Sequence, residues 1–315
     1  MIPAADIYPQ PNVPDPVLEA KYVLTLVRRH VPAVAVREVD ESGGEARAYL
    51  VDDDKVLKVQ RPHRLRDRTS LEKEVFFLNE LASYPEISVP RVLGYGREGD
   101  VEYICMTRMH GVAARHLDLE RDERRRVLRA LGRALRQLHG VGQEALRQSP
   151  LFPGDRSQED FRGRLIRGFD QAVAAVHADG VWGLPVPPEA LAERVMSTLP
   201  VASTLPVAST LVALHSNPGP EHTFVDPVTK EFTGLIDFGD AYISHPAFDI
   251  RWPRRDDRLA ILDGYRAEAP VNDGFLVAWR AVQVLSDMAA LTSPRFGAER
   301  RAQARENLTA MLREG

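Results

Sequence analysis

The apolar positions of this chain change period several times, and each change predicts an element. Val36 to Val39, Ala46 to Val51 and Val56 to Val59 are short β-leaning runs. Glu41-Ser42-Gly43-Gly44-Glu45 separates the first two and Asp52-Asp53-Asp54 the second two, and both stretches are turn-forming. Leu71, Val75, Leu78 and Ala82 then mark one face of a helix. Val89 to Tyr95 and Val101 to Met106 return to strand character, and Thr107-Arg108-Met109-His110-Gly111 follows as a connection. Between Arg124 and His139, Val127, Leu128, Leu131, Leu135 and Leu138 recur at helical spacing. His139 reads as the terminal cap of that amphipathic helix. Gln158 to His177 is also helical, and Trp182-Gly183-Leu184-Pro185 is a loop.

Polar residues gather where the later apolar runs end. Thr210 to Leu214 leans to strand, His215 ends it, and Ser216-Asn217-Pro218-Gly219-Pro220 is turn chemistry. Thr223-Phe224-Val225 follows, then the Asp226-Pro227 turn toward Phe232-Thr233-Gly234. Gly234-Leu235-Ile236 reads as a short buried strand, with Asp237 at its end and a turn at Phe238-Gly239. The pattern predicts two hairpin-like pieces with polar residues at their mouths. A carboxylate at the end of a buried strand has a fixed direction, which suits a hard cation. Asp240 adds a second carboxylate or satisfies loop amides. Lys58 stands inside the apolar run Val56 to Val59, where a lysine needs a partner. Glu72 and Glu74 on the following helix are the carboxylates at hand. Gly43 and Gly44 let backbone amides approach phosphate oxygens. That loop lacks a full spaced-glycine pattern, so by itself it is an ordinary hairpin. Phosphoryl transfer asks for a metal held against phosphates, a cation on them, and a group that orients the attacking hydroxyl.

The two loops together carry a resemblance. Residues 211–226 read L-V-A-L-H-S-N-P-G-P-E-H-T-F-V-D, and residues 234–249 read G-L-I-D-F-G-D-A-Y-I-S-H-P-A-F-D. The pair resembles the aminoglycoside and macrolide phosphotransferases of the protein-kinase-like superfamily. Their signature is His-x-Asp, four residues, then Asn or His, followed by Ile-Asp-Phe/Trp-Gly-Asp. His215 matches the histidine, His222 the second metal-ligand position and Asp237 the main metal aspartate. Asn217 departs from the pattern, standing where the family carries its catalytic aspartate. The resemblance implies that Glu74 holds Lys58 on the α/β phosphates. It also implies that Ser42, Gly43 and Gly44 cover the phosphates, and that Met106, Thr107 and Met109 form the hinge where adenine pairs with backbone. The implied fold is α+β and two-lobed, protein-kinase-like. A small antiparallel-sheet lobe spans about 1–106 and a larger, mostly helical lobe spans about 107–315, with the nucleotide between them. The implied activity is ATP- or GTP-dependent phosphorylation of a hydroxyl on an antibiotic-like small molecule or a metabolite, with Mg²⁺ or Mn²⁺. Two alternatives stand beside it: a nucleotide-binding pseudoenzyme, which Asn217 favours, and an interaction module that keeps the fold without a nucleotide site, against which Lys58, Glu74 and Asp237 argue.

Global numbers narrow the class further. The 315 residues can hold two cores, and 44% hydrophobic with 27% charged content is ordinary for a globular protein. The single cysteine, Cys105, excludes an intrachain disulfide and a cysteine metal cluster. A net charge of -4 gives no nucleic-acid footprint. No signal peptide or membrane-length apolar run is evident, which predicts a cytoplasmic protein without membrane contact. A monomer or weak dimer is expected. The basic stretch Arg61 to Arg68 reads as a solvated loop, and Arg254-Arg255 beside Asp256-Asp257 as surface. Ser-Thr-Leu-Pro-Val-Ala occurs at 197–202 and again at 203–208; it reads as a duplication within a connection.

Overall fold

The amino-terminal sheet follows from simple alternation. In this computed structural model, which describes residues 17–61, 70–99, 101–199 and 211–314, five antiparallel strands pair in the order β1-β2-β3-β5-β4. They are β1 (Val36–Asp40), β2 (Ala46–Val51), β3 (Lys55–Gln60), β4 (Val92–Glu98) and β5 (Val101–Thr107). Tyr49, Val51, Leu57, Val59, Tyr103 and Cys105 form one core with Val23, Leu26 and Val27 of helix α1 (Ala20–Val27). That helix was not part of the sequence reading. Alternation puts Lys58 on the opposite face, toward α2 (Leu71–Leu81). The Ser70 side chain caps α2 by accepting the Lys73 N–H, which leaves Glu72 and Glu74 in the first turn.

Beyond the sheet the chain is mostly helical. It runs through β6 (Val112–Ala113), α3 (Arg121–Gly140), α4 (Glu144–Gln148), α5 (Gln158–Asp179) and α6 (Pro188–Thr198). The strands β7 (Val212–Leu214), β8 (Thr223–Val225), β9 (Phe232–Leu235) and β10 (Tyr242–Ser244) follow, then α7 (Arg255–Tyr265), α8 (Asp273–Thr292) and α9 (Ala298–Glu314). A small antiparallel-sheet lobe before a larger helical one is the expected α+β arrangement.

Three expectations need correction. β7 and β8 do not form a hairpin: β7 pairs with β10, and β8 lies between β6 and β9. The reason is local, because His222 and Thr223 N–H groups both bond to the Gly219 carbonyl and coil the chain instead of returning it. Asp257 is not surface: its carboxylate is buried and receives Arg124 through Nε at 2.8 Å and Nη2 at 2.6 Å. Finally, α8 is long and apolar enough to cross a membrane by length and composition. Its buried side chains, Phe275 to Leu291, belong to the core of the larger lobe. Of the duplicated segment, Ser197 and Thr198 close α6, while residues 200–210 lie outside the described residues.

Helices α3 and α7 pack backbone to backbone. A Cβ on Gly132 would lie 2.0 Å from the Ile261 carbonyl oxygen, and one on Gly264 would lie 2.0 Å from that of Arg129. We expect Gly132→Ala to force the helices apart and to cost about 1–3 kcal/mol, as overpacking does. A thermal melt checks this, and an unchanged melting temperature would contradict the tight crossing.

Candidate functional site

One lysine joins the two lobes. Lys58 Nζ donates to Glu74 Oε2 at 2.7 Å and to Asp237 Oδ1 at 2.7 Å. Glu74 is 1% exposed, Lys58 17% and Asp237 35%. Burial opposes the lysine charge, but the two carboxylates outweigh it and raise the Lys58 pKa above its ordinary value. Burial likewise works against the Asp237 charge, yet Lys58 and His222 hold that carboxyl well below the usual range. For Glu74 burial wins over Lys58, with Asp237 adding to it, and its pKa is raised. Glu72, the second residue of α2, is exposed and 3.5 Å from Arg97 Nη2 instead.

Asp237 is aimed by a strained backbone. Its φ is +71°, in the left-handed region that non-glycine residues seldom occupy. Its neighbours hold it there. The Ile236 N–H donates to the His222 carbonyl at 3.1 Å, and His215 Nε2 lies 2.9 Å from the Ile236 carbonyl. The Phe238 ring is buried between Phe77, at 5.2 Å, and His215, at 4.6 Å. Asp240 is half-buried in the turn that the Ala241 N–H closes on the Phe238 carbonyl.

His215 is a buried, neutral bridge. Nε2–H donates to Ile236, so Nδ1 carries a lone pair, and it accepts the Asn217 N–H at 3.3 Å. Burial drives its pKa down to about 4. Asn217 is the exposed residue of this loop. Its carbonyl accepts from His222 Nδ1 at 2.8 Å, which fixes the proton there. His222 Nε2 then faces Asp237 Oδ2 at 3.2 Å. In the neutral ring two lone pairs oppose each other at that distance, so a proton or a cation belongs between them. An imidazole nitrogen and a carboxylate oxygen, with the second ring nitrogen bound to a carbonyl, form a donor pair that fits a divalent metal.

The loop is anchored from behind by Asp249, whose role the sequence reading missed. Its carboxylate accepts the His215 N–H at 2.7 Å and the Ser216 N–H at 2.8 Å. Ser216 has a φ of +76°, and its carbonyl accepts from the Arg251 guanidinium. Burial alone would raise the Asp249 pKa, but His139, His215 and Arg251 outweigh it and lower it. His139 is therefore not a helix cap. Its buried ring lies with Nε2 3.0 Å from Asp249 and Nδ1 3.1 Å from the Tyr265 hydroxyl. The only sequence signal was an aspartate in the His245-Pro246-Ala247-Phe248-Asp249 run.

The connection between the lobes is tied at several points. Met106 is buried in β5, and the Thr107 hydroxyl accepts the Arg91 N–H at 2.8 Å. The Arg108 N–H donates to the Asp54 carbonyl at 2.7 Å. Met109 packs against Gly234, where a Cβ would lie 2.7 Å from its sulfur. Ser42, Gly43 and Gly44 sit at the exposed tip between β1 and β2. Arg61, expected in a solvated loop, is 3% exposed. It is buried because its Nη1 donates to the Gly43 carbonyl at 2.9 Å and its charge is shared with Glu41 at 3.8 Å. The rest of that basic stretch, residues 62–68, lies outside the described residues.

The model of the phosphotransferase enzyme family matches residues 36–291. The GDP complex of wild-type aminoglycoside 2'-phosphotransferase-IIIa is similar, with a TM-score of 0.62 and 17% identity over 92% of this chain and 98% of that one. The macrolide 2'-phosphotransferase MphH from Brachybacterium faecium, an apoenzyme, gives 0.57 and 21% over 90% and 97%. The streptomycin-ATP-APH(2")-IIa ternary complex gives 0.54 and 15% over 93% and 96%. At these identities the likeness to the solved structures is one of fold. No curated protein matches the chain in sequence.

Removing the Asp249 carboxylate leaves two buried amide groups without an acceptor. Each unsatisfied group costs about 1–3 kcal/mol. We expect Asp249→Ala to lower the denaturant midpoint accordingly, and a midpoint equal to that of the parent would show that the loop is held by other means.

Proposed function

The chain belongs to the phosphotransferase enzyme family, and on that premise we propose that it transfers the terminal phosphoryl group of ATP or GTP to a hydroxyl of a small molecule. The observation that carries the proposal is Lys58 Nζ, held 2.7 Å from Glu74 and 2.7 Å from Asp237 beside the exposed Asn217. The solved relatives support the nucleotide: one is a GDP complex and another an ATP complex that also holds streptomycin.

In this reading Lys58 donates to the α and β phosphates while Glu74 keeps its stem in place. Ser42, Gly43 and Gly44 lie over the phosphates, and Met106, Thr107 and Met109 meet the base. Asp237 and His222 would hold a divalent cation, Mg²⁺ or Mn²⁺, with Asp240 as a further carboxylate. When bound, such a cation offsets charge on the phosphate oxygens. Among the described residues no group of three His, Cys, Asp or Glu gathers, so waters and phosphates complete the shell. The acceptor oxygen forms a bond to the terminal phosphorus as the bond to the bridging oxygen breaks, leaving a nucleoside diphosphate. His215 and Asp249 act only by fixing the loop that presents Asn217. The Asn217 amide oxygen accepts a hydrogen bond from the attacking hydroxyl and so orients it. It carries no charge and is not a base, so the hydroxyl proton leaves to an oxygen of the transferred phosphoryl group or to water. A nucleotide-binding protein without turnover is the second reading, and Asn217 is the observation that favours it. The acceptor, antibiotic-like or metabolic, is an outcome for a panel of small-molecule alcohols with transfer read by mass.

Two outcomes check this reading. Charge-assisted contacts are worth about 1.5–3 kcal/mol each. Lys58→Ala and Asp237→Ala should therefore weaken binding of an ATP analogue with Mg²⁺ by about tenfold to a hundredfold. Binding equal to the parent would refute the nucleotide site. Restoring a general base is worth about 10²–10⁴ in rate, so Asn217→Asp should raise the maximal rate on a given acceptor by that factor. Equal rates would mean that orientation alone suffices.

A further inference from the structure

The hairpin tip and the phosphate-facing lysine are governed by the same strand. Lys58 and Arg61 lie three residues apart along β3 and its extension, which puts them on opposite faces of the sheet. The alternation persists beyond the strand end because the Arg61 N–H donates to the Glu45 carbonyl at 2.9 Å. Arg47 pairs opposite Val59 on the α1 face. Arg47 and Arg61 share Glu41 there, at 3.2 and 3.8 Å. From that face Arg61 Nη1 donates to the Gly43 carbonyl at 2.9 Å.

That contact decides which way a peptide group points. A trans peptide is planar, with its C=O and N–H in opposite directions, and no cis bond occurs among the described residues. With the Gly43 carbonyl turned to Arg61, the Gly44 N–H points away from that arginine. No backbone acceptor takes that N–H among the described residues. The approach to Gly44 is open, since a Cβ there would meet nothing within 4 Å. Gly43 is tighter: a Cβ would lie 2.5 Å from the Ala46 carbonyl oxygen.

We propose that Arg61 is a positioning residue for the nucleotide: by holding the Gly43 carbonyl it presents the Gly44 N–H to a phosphate oxygen. This rests on the nucleotide reading proposed above. Arg61 touches no substrate itself; it acts through one peptide plane. Its burial is explained by that task, since a guanidinium is seldom buried without partners. Strand β3 then sets both phosphate contacts, the Lys58 ammonium directly and the Gly44 amide through Arg61.

The test is calorimetric binding of ATP with Mg²⁺, and of adenosine, to the full-length parent, Arg61→Met, Arg61→Lys, Gly44→Pro and the Arg61→Met/Gly44→Pro double variant. Arg61→Met should weaken ATP binding about tenfold, the worth of one charge-assisted hydrogen bond, and leave adenosine binding unchanged. Arg61→Lys should recover part of the loss. Gly44→Pro removes the same donor at an exposed position and should match Arg61→Met, while the double variant loses no more than either. ATP binding by Arg61→Met equal to the parent's would overturn the proposal. So would an equal loss of adenosine, which marks a merely structural arginine, or additive losses in the double variant. If Arg61→Met fails to fold, Gly44→Pro decides alone: undiminished ATP affinity there overturns it. A parent that binds neither ligand overturns the nucleotide reading itself, a result distinct from a parent that binds beside a variant that binds equally well.

Discussion

A buried ammonium cannot stand without counter-charge, and Lys58 draws its two carboxylates from different parts of the chain. Glu74 comes from the small lobe, 16 residues away, and Asp237 from the large one, 179 residues away. Stripping water from all three groups is costly, and only their mutual attraction and close geometry offset it. The rest of the small lobe serves that geometry. β3 is central in the sheet, so the lysine stem has strands on both sides. The Ser70 cap starts α2 where Glu74 reaches the ammonium within the first turn.

The carboxylate on the other side is held as firmly by different means. Asp237 and Ser216 both occupy left-handed backbone conformations, at φ +71° and +76°. Such strain persists only where the surroundings over-determine it. His215 does this for the first, bridging the Ile236 carbonyl and the Asn217 amide. Asp249 does it for the second, taking two consecutive backbone N–H groups. Behind Asp249 stand His139 on α3 and Tyr265 on α7, two helices whose backbones touch at Gly132 and Gly264. A chain of contacts thus runs from a helix crossing to the loop that presents Asn217.

Charge and shape divide the labour at this site. Neutral groups, the His215 and Asn217 side chains, bridge or present the loop, while charged ones, Lys58 and Asp237, face where charge would be handled. The Asn217 side chain takes no part in the scaffold of the loop. The Asn217 contacts that shape the loop are made by its backbone N–H and carbonyl, not by its side chain.

Local chemistry made much of this legible in advance. A β-leaning run marked β2 as Ala46–Val51, and helical spacing marked the core of α3, because those patterns depend on neighbours a few residues apart. The paired loops around His215 and Asp237 were visible as runs of turn residues and polar groups at strand ends. Other features depend on partners far along the chain, and no local pattern encodes them. His139 looked like a helix end and proved to be a buried partner of Asp249. Asp257 looked like surface and proved to face Arg124. Arg61 looked solvated and proved to hold a glycine carbonyl. β7 took β10 as its partner across the Asp237 turn rather than the adjacent β8. By itself the sequence determined which segments become strands and helices and which residue types sit at their ends, because those choices are settled by short-range sterics and hydrophobic period. Only the tertiary structure decided which buried charge meets which partner, because the cost of burying a charge or a polar group is met by whichever group the fold brings within hydrogen-bond reach.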